Sequence, residues 1–349
     1  MSSAPRLVSN PPNPWASEHV EWLGDPPPAR LEVYEEQARS LLSRNDSPDL
    51  WFRWSVNPYR GCFHGCAYCY ARPSHQWLGF GAGTDFERRL VVKTNAPEAL
   101  RRELARPAWR GELIVFSGDT DCYQPLEASY GLTRRCLEVC LEFHNPVAIV
   151  TKGLLVRRDA ALLGALATRA RARVKVSIPF ADDATGRKME PFAPTSTQRF
   201  ETLRALADAG VPVGIAVAPV IPGLNDGDIP SLLARAREAG ATSASMTLLR
   251  LPREVLPVFM ERLGAAFPPE RARRVENAIR DVRGGRLDEP AFGARMRGLG
   301  PRWDAVDQLF ETHARRLGLW SSWQAVEEPS TFRRPPAPAP PRQGSLFDE

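Results

Sequence analysis

The sequence has no apolar run of the roughly 18 residues that a membrane-spanning helix needs. Its first residues, MSSAPRLVSNPPNPW, lack a basic region followed by an apolar core, so we expect no secretory signal. These two absences predict a cytoplasmic protein with no membrane partner. In that compartment, clustered cysteines belong to metal sites or catalytic sites more often than to a disulfide framework.

Proline is concentrated at the two ends of the chain, and this distribution predicts their character. Residues 1–30 contain seven prolines, and proline fixes the backbone and removes a hydrogen-bond donor, so we expect an irregular N-terminal segment. Residues 327–349 combine prolines with few large apolar side chains. Because such a segment cannot bury enough apolar surface to order itself, we expect a disordered tail.

Between the ends, short runs of branched apolar residues alternate with helical patterns. Continuous apolar runs are typical of strands covered on both faces. The pattern predicts an α/β fold in which a parallel sheet forms a partial (β/α)6 barrel over residues 48–250, followed by a helical extension over 251–326. In such folds the active site lies at the carboxyl ends of the strands. The predicted strands are 52–56, 113–117, 147–151, 174–178, 213–220 and 244–251.

Helices are expected between these strands. Asp159, Thr195 and Asp228 lie at or near the start of three of them and are of residue types that cap helix N-termini. The predicted helices are 96–106, 129–143, 157–172, 195–210 and 228–240.

Three cysteines, Cys62, Cys66 and Cys69, follow the first predicted strand in the order C-x3-C-x2-C. Three thiolates leave one coordination position open on a metal centre. One interpretation is a zinc site completed by His64 or His75, although zinc sites usually pair C-x2-C with a second cysteine pair that this sequence lacks. The other is a [4Fe–4S] cluster in which one iron has no protein ligand.

With Tyr68 before the last cysteine, this motif resembles the central motif of the radical S-adenosylmethionine (SAM) superfamily. The resemblance extends over the barrel order from about residue 50 to 250. It implies a [4Fe–4S] cluster on the three cysteines, SAM as second cofactor, and reductive cleavage of SAM to a 5′-deoxyadenosyl radical. It also implies an electron donor of the flavodoxin or ferredoxin type.

Within the superfamily, the chain resembles the spore photoproduct lyase-like branch. Tyr70 directly after the last cysteine and SGDTDCYQPLE at 117–127 carry this resemblance. It implies that polar or small residues at strand ends bind SAM, though each could instead be a cap or turn residue. The implied contacts are Tyr68 and Ala218 to the adenine, Ser117, Thr120 and Asp121 to the amino end, Lys152 to the carboxylate, and Ser177 to the ribose.

Two further residues, Glu190 and Arg199, follow the fourth predicted strand. The resemblance implies that either could reach the cofactor. A salt bridge that holds the loop is the alternative.

The hydrogen donor of the lyases is a cysteine, and Gly118 occupies its place here. Cys122, nearby, and Tyr70 are the candidates for a catalytic role, although Cys122 could simply pack in the core. We therefore expect a radical SAM enzyme that acts on DNA in a repair-like reaction other than spore photoproduct reversal. Modification of tRNA or protein, and a zinc-stabilised nucleic-acid-binding module without catalysis, are the alternatives.

The pentapeptide QGSLF at 343–347 follows the proline-rich tether. It resembles the peptide by which bacterial repair and replication proteins bind the sliding clamp. The resemblance implies that Leu346 and Phe347 enter an apolar pocket while Gln343 donates a hydrogen bond beside it. A chance pentapeptide is the alternative.

Overall fold

The computed structural model describes residues 30–319 and 330–336. Nearly all of the predicted N-terminal segment, and the clamp-like peptide at 343–347, lie outside the described residues. Within the described part, the strands are β1 (Glu32–Glu36), β2 (Leu42–Arg44), β3 (Trp54–Val56), β4 (Tyr59–Arg60), β5 (Arg89–Lys93), β6 (Ile114–Phe116), β7 (Val147–Thr151), β8 (Ala172–Ser177), β9 (Val213–Val220) and β10 (Ser243–Leu248).

The larger sheet has the strand order β10-β9-β8-β7-β6-β3-β2. Its six strands from β3 to β10 pair in parallel and in chain order, and β2 adds an antiparallel edge beside β3. The six parallel strands are the six predicted from the apolar runs. The mixed α/β fold with a parallel sheet of partial-barrel order is therefore confirmed.

A second sheet of three strands, in the order β1-β5-β4, was not predicted. Strand β1 has the sequence EVYEE and its residues are mostly exposed, so it shows no apolar run. It gains its partner only in the folded chain, where Glu32 pairs in parallel with Arg89.

Helices lie between the parallel strands and continue after β10. The helix predicted over 129–143 is divided at Gly131, where a φ of 61° interrupts the helix. The helices are α1 (Thr84–Arg88), α2 (Ala96–Ala105), α3 (Glu127–Tyr130), α4 (Leu132–Glu142), α5 (Ala160–Arg169), α6 (Asp183–Met189), α7 (Ser196–Asp208), α8 (Ile229–Glu238), α9 (Val255–Ala266), α10 (Pro269–Asp281) and α11 (Gly300–Arg316). The last three form the predicted helical extension. Among the described residues, no helix has the length and apolar character needed to cross a bilayer.

Of the three expected caps, only Thr195 caps its helix with its side chain. Its hydroxyl accepts from the backbone N–H of Gln198, whose side chain accepts in return from the backbone N–H of Thr195. Asp159 instead accepts hydrogen bonds from Tyr123 and Arg134, and Asp228 accepts from the backbone N–H of Ala181. The expectation was wrong for these two because tertiary partners take their carboxylates.

Residues 330–336 pack against the loops that precede β6, β7 and β8. Phe332 stacks on Phe143 with ring centroids 6.1 Å apart, and Thr331 donates a hydrogen bond to the carbonyl of His144. Arg334 donates to the carbonyls of Arg106 and Trp109. These loops lie at the amino edge of the parallel strands, so this segment is anchored away from the carboxyl edge.

Candidate functional site

A cavity of about 320 Å³ opens at the carboxyl edge of the parallel strands. The loops after β4, β6, β7 and β10 supply most of its wall, and β8, β9 and β10 supply its floor. Cys62, Cys66 and Cys69 all line this cavity. The structure therefore brings the three clustered thiols to the edge where the sequence predicted chemistry.

Main-chain contacts hold the cysteine loop in place. The backbone N–H of Cys62 donates to the carbonyl of Phe86, and that of Ala67 donates to Met189. The buried guanidinium of Arg72 donates twice to the carbonyl of Cys66 and pairs with Glu87. Because these partners come from α1 and from the end of α6, the loop is fixed by elements distant in sequence.

Cys62 and Cys66 are buried, and Cys69 is partly buried. Burial raises the pKa of Cys62 well above its ordinary value, with Asp121 and Cys66 adding to the effect. Burial also raises the pKa of Cys66 to about 12. It raises the pKa of Cys69 as well. Thiols bind a metal only after losing their protons, so loading this site with a metal centre releases protons.

The donor set fits an iron–sulfur cluster. Among residues 30–319 and 330–336, no three His, Cys, Asp or Glu side chains converge closely enough to hold one metal ion. Three thiolates that each bind a different iron of one cluster need not converge on a point, whereas the ligands of a zinc ion must. His75, one proposed zinc ligand, lies outside the cavity, where its Nε2 is 2.8 Å from the carbonyl oxygen of Arg89.

Tyr68 lines the cavity but is also the end of a buried polar network. Its hydroxyl donates to the carboxylate of Glu190, which in turn pairs with Arg199. The Nζ of Lys152 lies 3.9 Å from Glu190 and 5.7 Å from the centre of the Tyr68 ring. Glu190 and Arg199, both buried, do not line this cavity, so the structure favours the ion-pair interpretation over direct cofactor contact.

Charge within this network keeps Lys152 protonated. Burial alone would lower the pKa of Lys152, but the neighbouring Cys66 and Glu190 raise it above its ordinary value. For Glu190, burial would raise the pKa, but Arg199 and Lys152 lower it overall. An ammonium group that remains charged at the cavity wall is suited to a carboxylate ligand.

The loop after β6 carries Ser117, Thr120 and Asp121, all of which line the cavity. Two of their side chains also stabilise the loop itself, since the Ser117 hydroxyl accepts from the N–H of Cys122 and Thr120 donates to the carbonyl of Tyr59. Ser117 has a φ of 70°, which is unusual for a residue with a side chain. Both hydroxyls therefore have the structural role that was the alternative to binding SAM, since each is hydrogen-bonded to the backbone.

Asp121 joins this loop to the cysteine loop and to β7. Its carboxylate accepts from the Thr151 hydroxyl and the N–H of Lys152, and lies 3.4 Å from His64. Burial would raise the pKa of Asp121, but these hydrogen bonds and His64 lower it well below its usual range. The carboxylate is therefore ionised at the cavity wall.

Ser177 and Ala218 lie side by side in the cavity, at the ends of β8 and β9. The Ser177 hydroxyl donates to the carbonyl of Ala218 over 3.0 Å. The Ala218–Pro219 peptide bond is cis. The two residues expected to contact ribose and adenine are thus neighbours.

The two candidates for a catalytic role differ in position. Tyr70 is half-exposed at the cavity wall, where its hydroxyl donates to the carbonyl of Gly118. Cys122 is fully buried in the main hydrophobic core and does not line the cavity. The structure does not bring Cys122 to the site, because its side chain packs beneath the loop.

Gly118 has no room for a side chain. A Cβ atom there would lie 2.7 Å from the Cβ of Ser55. A cysteine donor at this place would therefore require Ser55 to move.

Sequence reasoning missed several residues that line the cavity. Lys175 on β8 and Ser245 on β10 form part of its floor, and Trp51 and Arg250 lie along its wall. The alternation of strand side chains could have found Lys175, since it lies two residues before Ser177 and so shares its face. Arg250 and Trp51 lie in loops, where no alternation of side chains indicates which residues face the cavity.

The model of the Radical SAM superfamily matches residues 56–236. An uncharacterized protein of Mycobacterium tuberculosis is 39% identical over 241 residues, covering 68% of this chain and 71% of its own. The radical SAM Nα-GlyT isomerase of Pseudomonas phage M6 is 24% identical over 267 residues, covering 76% and 52%.

Among solved structures, the fold is similar to that of spore photoproduct lyase. A cysteine-to-alanine mutant of that enzyme matches with a TM-score of 0.58 and 14% identity, covering 82% of this chain and 79% of that one. Its complex with dinucleoside spore photoproduct matches with a TM-score of 0.51 and 17% identity over 66% of each chain.

Proposed function

The chain belongs to the Radical SAM superfamily, and from that premise we propose that it abstracts a hydrogen atom from a nucleobase of DNA in a repair-like reaction. It is an enzyme whose cofactors are a [4Fe–4S] cluster and SAM, and it requires a reductant. When bound, these cofactors supply one-electron cleavage of a carbon–sulfur bond and the hydrogen abstraction that follows. The protein supplies binding, orientation and exclusion of water.

In this proposal Cys62, Cys66 and Cys69 hold the cluster. The burial of Cys62 and Cys66 limits the access of water to the cluster side of the cavity. Their thiols release protons on loading, and the buried Arg72 keeps the loop in place through the carbonyl of Cys66.

The groups proposed for SAM lie around the same cavity with suitable charges. The ammonium of Lys152 would bind the carboxylate of SAM, and the ionised Asp121 would bind its amino group. Ser177 and Ala218 would border the ribose and adenine, and the Tyr68 ring would face the adenine. Glu190 acts as a positioning residue. Its carboxylate accepts a hydrogen bond from the Tyr68 hydroxyl and lies 3.9 Å from the Nζ of Lys152.

The observation that carries the choice of substrate is the mixture of aromatic and cationic side chains along the cavity wall. Trp51, Phe52 and Tyr70 line it together with Arg250, whose guanidinium carbon lies 5.8 Å from the centre of the Tyr70 ring. Proteins bind unstacked bases on aromatic rings and neighbouring phosphates with arginine. The structure of similar fold that holds a dinucleoside spore photoproduct supports the same class of ligand.

The reaction is proposed only as far as hydrogen abstraction. Two similar proteins with printed activities are a lyase and an isomerase, so they do not share one product. Gly118, which packs against Ser55 with no room for a side chain, argues against a cysteine donor at that position.

An anaerobic turnover assay tests this proposal. Reconstituted protein is incubated with SAM, a chemical reductant and either ultraviolet-damaged DNA, undamaged DNA or tRNA, and 5′-deoxyadenosine is quantified. We expect formation above the substrate-free rate with damaged DNA. Stimulation by tRNA alone would contradict the DNA assignment.

Two partners are proposed with this function. The first is a flavodoxin or ferredoxin type of protein that supplies the low-potential electron. The second is the bacterial sliding clamp, bound through Gln343, Leu346 and Phe347, which lie outside the described residues. The anchoring of residues 330–336 at the amino edge of the sheet supports a partner that approaches from the side opposite the cavity.

A further inference from the structure

Lysine is rare in this chain. Of 46 basic residues only four are lysines, namely Lys93, Lys152, Lys175 and Lys188, and all others are arginines. Three of the four are largely buried, and Lys188 is exposed. Because arginine is the usual cation of this sequence, a lysine inside the protein indicates a site that needs a compact amine rather than a planar guanidinium.

Lys175 occupies such a site on the floor of the cavity. It is 5% exposed, and its Nζ donates to the hydroxyl of Ser245 over 2.9 Å. Strand β9 lies between these two residues, and it carries Gly214 opposite Lys175 and Ala216 opposite Ser245. The small residues on β9 let the lysine side chain cross the strand.

The space above β9 cannot be filled by a larger residue at Gly214. A Cβ atom there would lie 2.3 Å from the Ser243 hydroxyl. Val115, Val150 and Ala216 supply apolar parts of the wall of the same cavity. A polar pair in a cavity that also has apolar walls is typical of a subsite that orients one polar atom of a flat ligand.

We propose that Lys175 and Ser245 form a hydrogen-bonding subsite for a ring carbonyl oxygen of the substrate, as a pyrimidine base presents. This assignment rests on the proposed nucleobase substrate and adds the group that orients the base. An amine and a hydroxyl held 2.9 Å apart can both donate to one carbonyl oxygen. The apolar wall accommodates the faces of the ring.

The electrostatics of the floor agree with this role. Burial, with a smaller contribution from Arg173 on the same strand, lowers the pKa of Lys175 to about 7. A ligand oxygen that accepts from the amine would restore part of the solvation that burial removes. The other charged or titratable groups that share the cavity are Lys152 on β7, His64 and the three cysteines of the cluster loop, Tyr68 and Tyr70, Asp119 and Asp121 after β6, and Arg250 after β10.

The scarcity of lysine makes a direct test feasible. Full-length, cluster-loaded protein labelled with carbon-13 at the lysine Cε should give four signals, assigned by substituting each lysine in turn. The thymidine dinucleotide is the probe, with SAM present. The expected result is that the Lys175 signal titrates near neutral pH and shifts when the dinucleotide binds, while the Lys188 signal does neither.

Binding measurements with matched variants complete the test. Lys175→Met should weaken dinucleotide binding by about tenfold to a hundredfold, and Lys188→Met should leave it unchanged. A dinucleotide of two abasic sites, which keeps the phosphate, should bind wild type and Lys175→Met equally.

Two results separate failure of the subsite from failure of the proposed function. If the dinucleotide binds wild type and Lys175→Met equally, or if SAM alone moves the Lys175 signal as far as SAM with dinucleotide, the carbonyl subsite is wrong and the DNA proposal stands. If neither the dinucleotide nor damaged DNA binds wild type, the nucleobase substrate is wrong and the subsite falls with it.

Discussion

The hydroxyl of Tyr68 donates a hydrogen bond to the carboxylate of Glu190, 122 residues further along the chain. The contact joins the cysteine loop to the end of α6. It fixes an aromatic ring at the cavity wall next to the cluster cysteines without using that ring's face. Because the hydroxyl is already bonded, Tyr68 would contact a cofactor through the face of its ring.

Removing the ring of Tyr68 should weaken SAM binding. Tyr68→Ala is expected to cost about 1–3 kcal/mol, roughly tenfold to a hundredfold in affinity, because an aromatic contact is lost. Tyr68→Phe keeps the ring and should cost less. Equilibrium binding of SAM to anaerobically reconstituted protein measures both, with iron content as the control for an intact cluster. Unchanged affinity in Tyr68→Ala would mean that the ring only packs.

Breaking the buried ion pair behind Tyr68 should destabilise the protein. Glu190→Ala leaves the guanidinium of Arg199 buried and unpaired, which typically costs about 3–5 kcal/mol. Glu201→Ala is the control, because Glu201 pairs with Arg157 at the surface, where such pairs contribute about 0–1 kcal/mol. Urea unfolding gives both free energies. Equal effects of the two substitutions would contradict the structural role assigned to Glu190.

A side chain at position 118 would clash with Ser55, and a second substitution at Ser55 should relieve that clash. Gly118→Ala is expected to destabilise the protein by about 1–3 kcal/mol through overpacking, and Ser55→Gly in the same chain should recover most of that loss. Gly227→Ala is the control, since a Cβ there meets no atom within 4 Å. Thermal unfolding measures the stability of the wild type, Gly118→Ala, the double variant and Gly227→Ala. A stable Gly118→Ala variant would show that the loop has room for a side chain there.

The parallel strands could be predicted well because each is indicated by its own short run of residues. The run VGIAVAPV is rich in branched residues and becomes β9 with its predicted bounds, and VAIVT likewise becomes β7. Both are buried on two faces, so burial leaves a continuous apolar run in the sequence. Strand β1 is exposed and mostly charged, and its pairing with β5 depends on residues more than fifty positions away, so no local pattern indicates it.

The candidate site could be predicted only where a short motif carried it. The three cysteines and Tyr68 lie within eight residues, and a resemblance indicated them. The roles of Glu190 and Arg199 depend on a tertiary ion pair, and no spacing in the sequence shows which partner each side chain finds. Lys175 lies within a predicted strand, where its charge among apolar neighbours was the overlooked signal.

The C-terminal peptide should bind the sliding clamp independently of the enzyme's chemistry. A peptide of residues 339–349 is expected to bind purified bacterial clamp with micromolar affinity, about −8 kcal/mol. Changing Leu346 and Phe347 to alanine should remove most of this, because these side chains would bury most of the apolar area. Titration calorimetry with both peptides decides the question. No heat from the wild-type peptide at high clamp concentration would show that the pentapeptide occurs by chance.

The same two substitutions in the full-length protein serve as a control on mechanism. SAM cleavage should be unchanged, since residues 330–336 are anchored at the amino edge of the sheet and the cavity opens at the carboxyl edge.

The central claim is that Cys62, Cys66 and Cys69 hold the cluster on which SAM cleavage depends. Its most direct measurement is iron content together with 5′-deoxyadenosine formation in Cys62→Ala, Cys66→Ala and Cys69→Ala. Cys136→Ala is the control, because Cys136 is fully buried in the core and should cost only packing, on the order of 1 kcal/mol. We expect the wild type and Cys136→Ala to be brown and active, and each of the other three to lack both the cluster and the product. Product formation at the wild-type rate by any one of those three, or a colourless wild type loaded with zinc, would contradict the account.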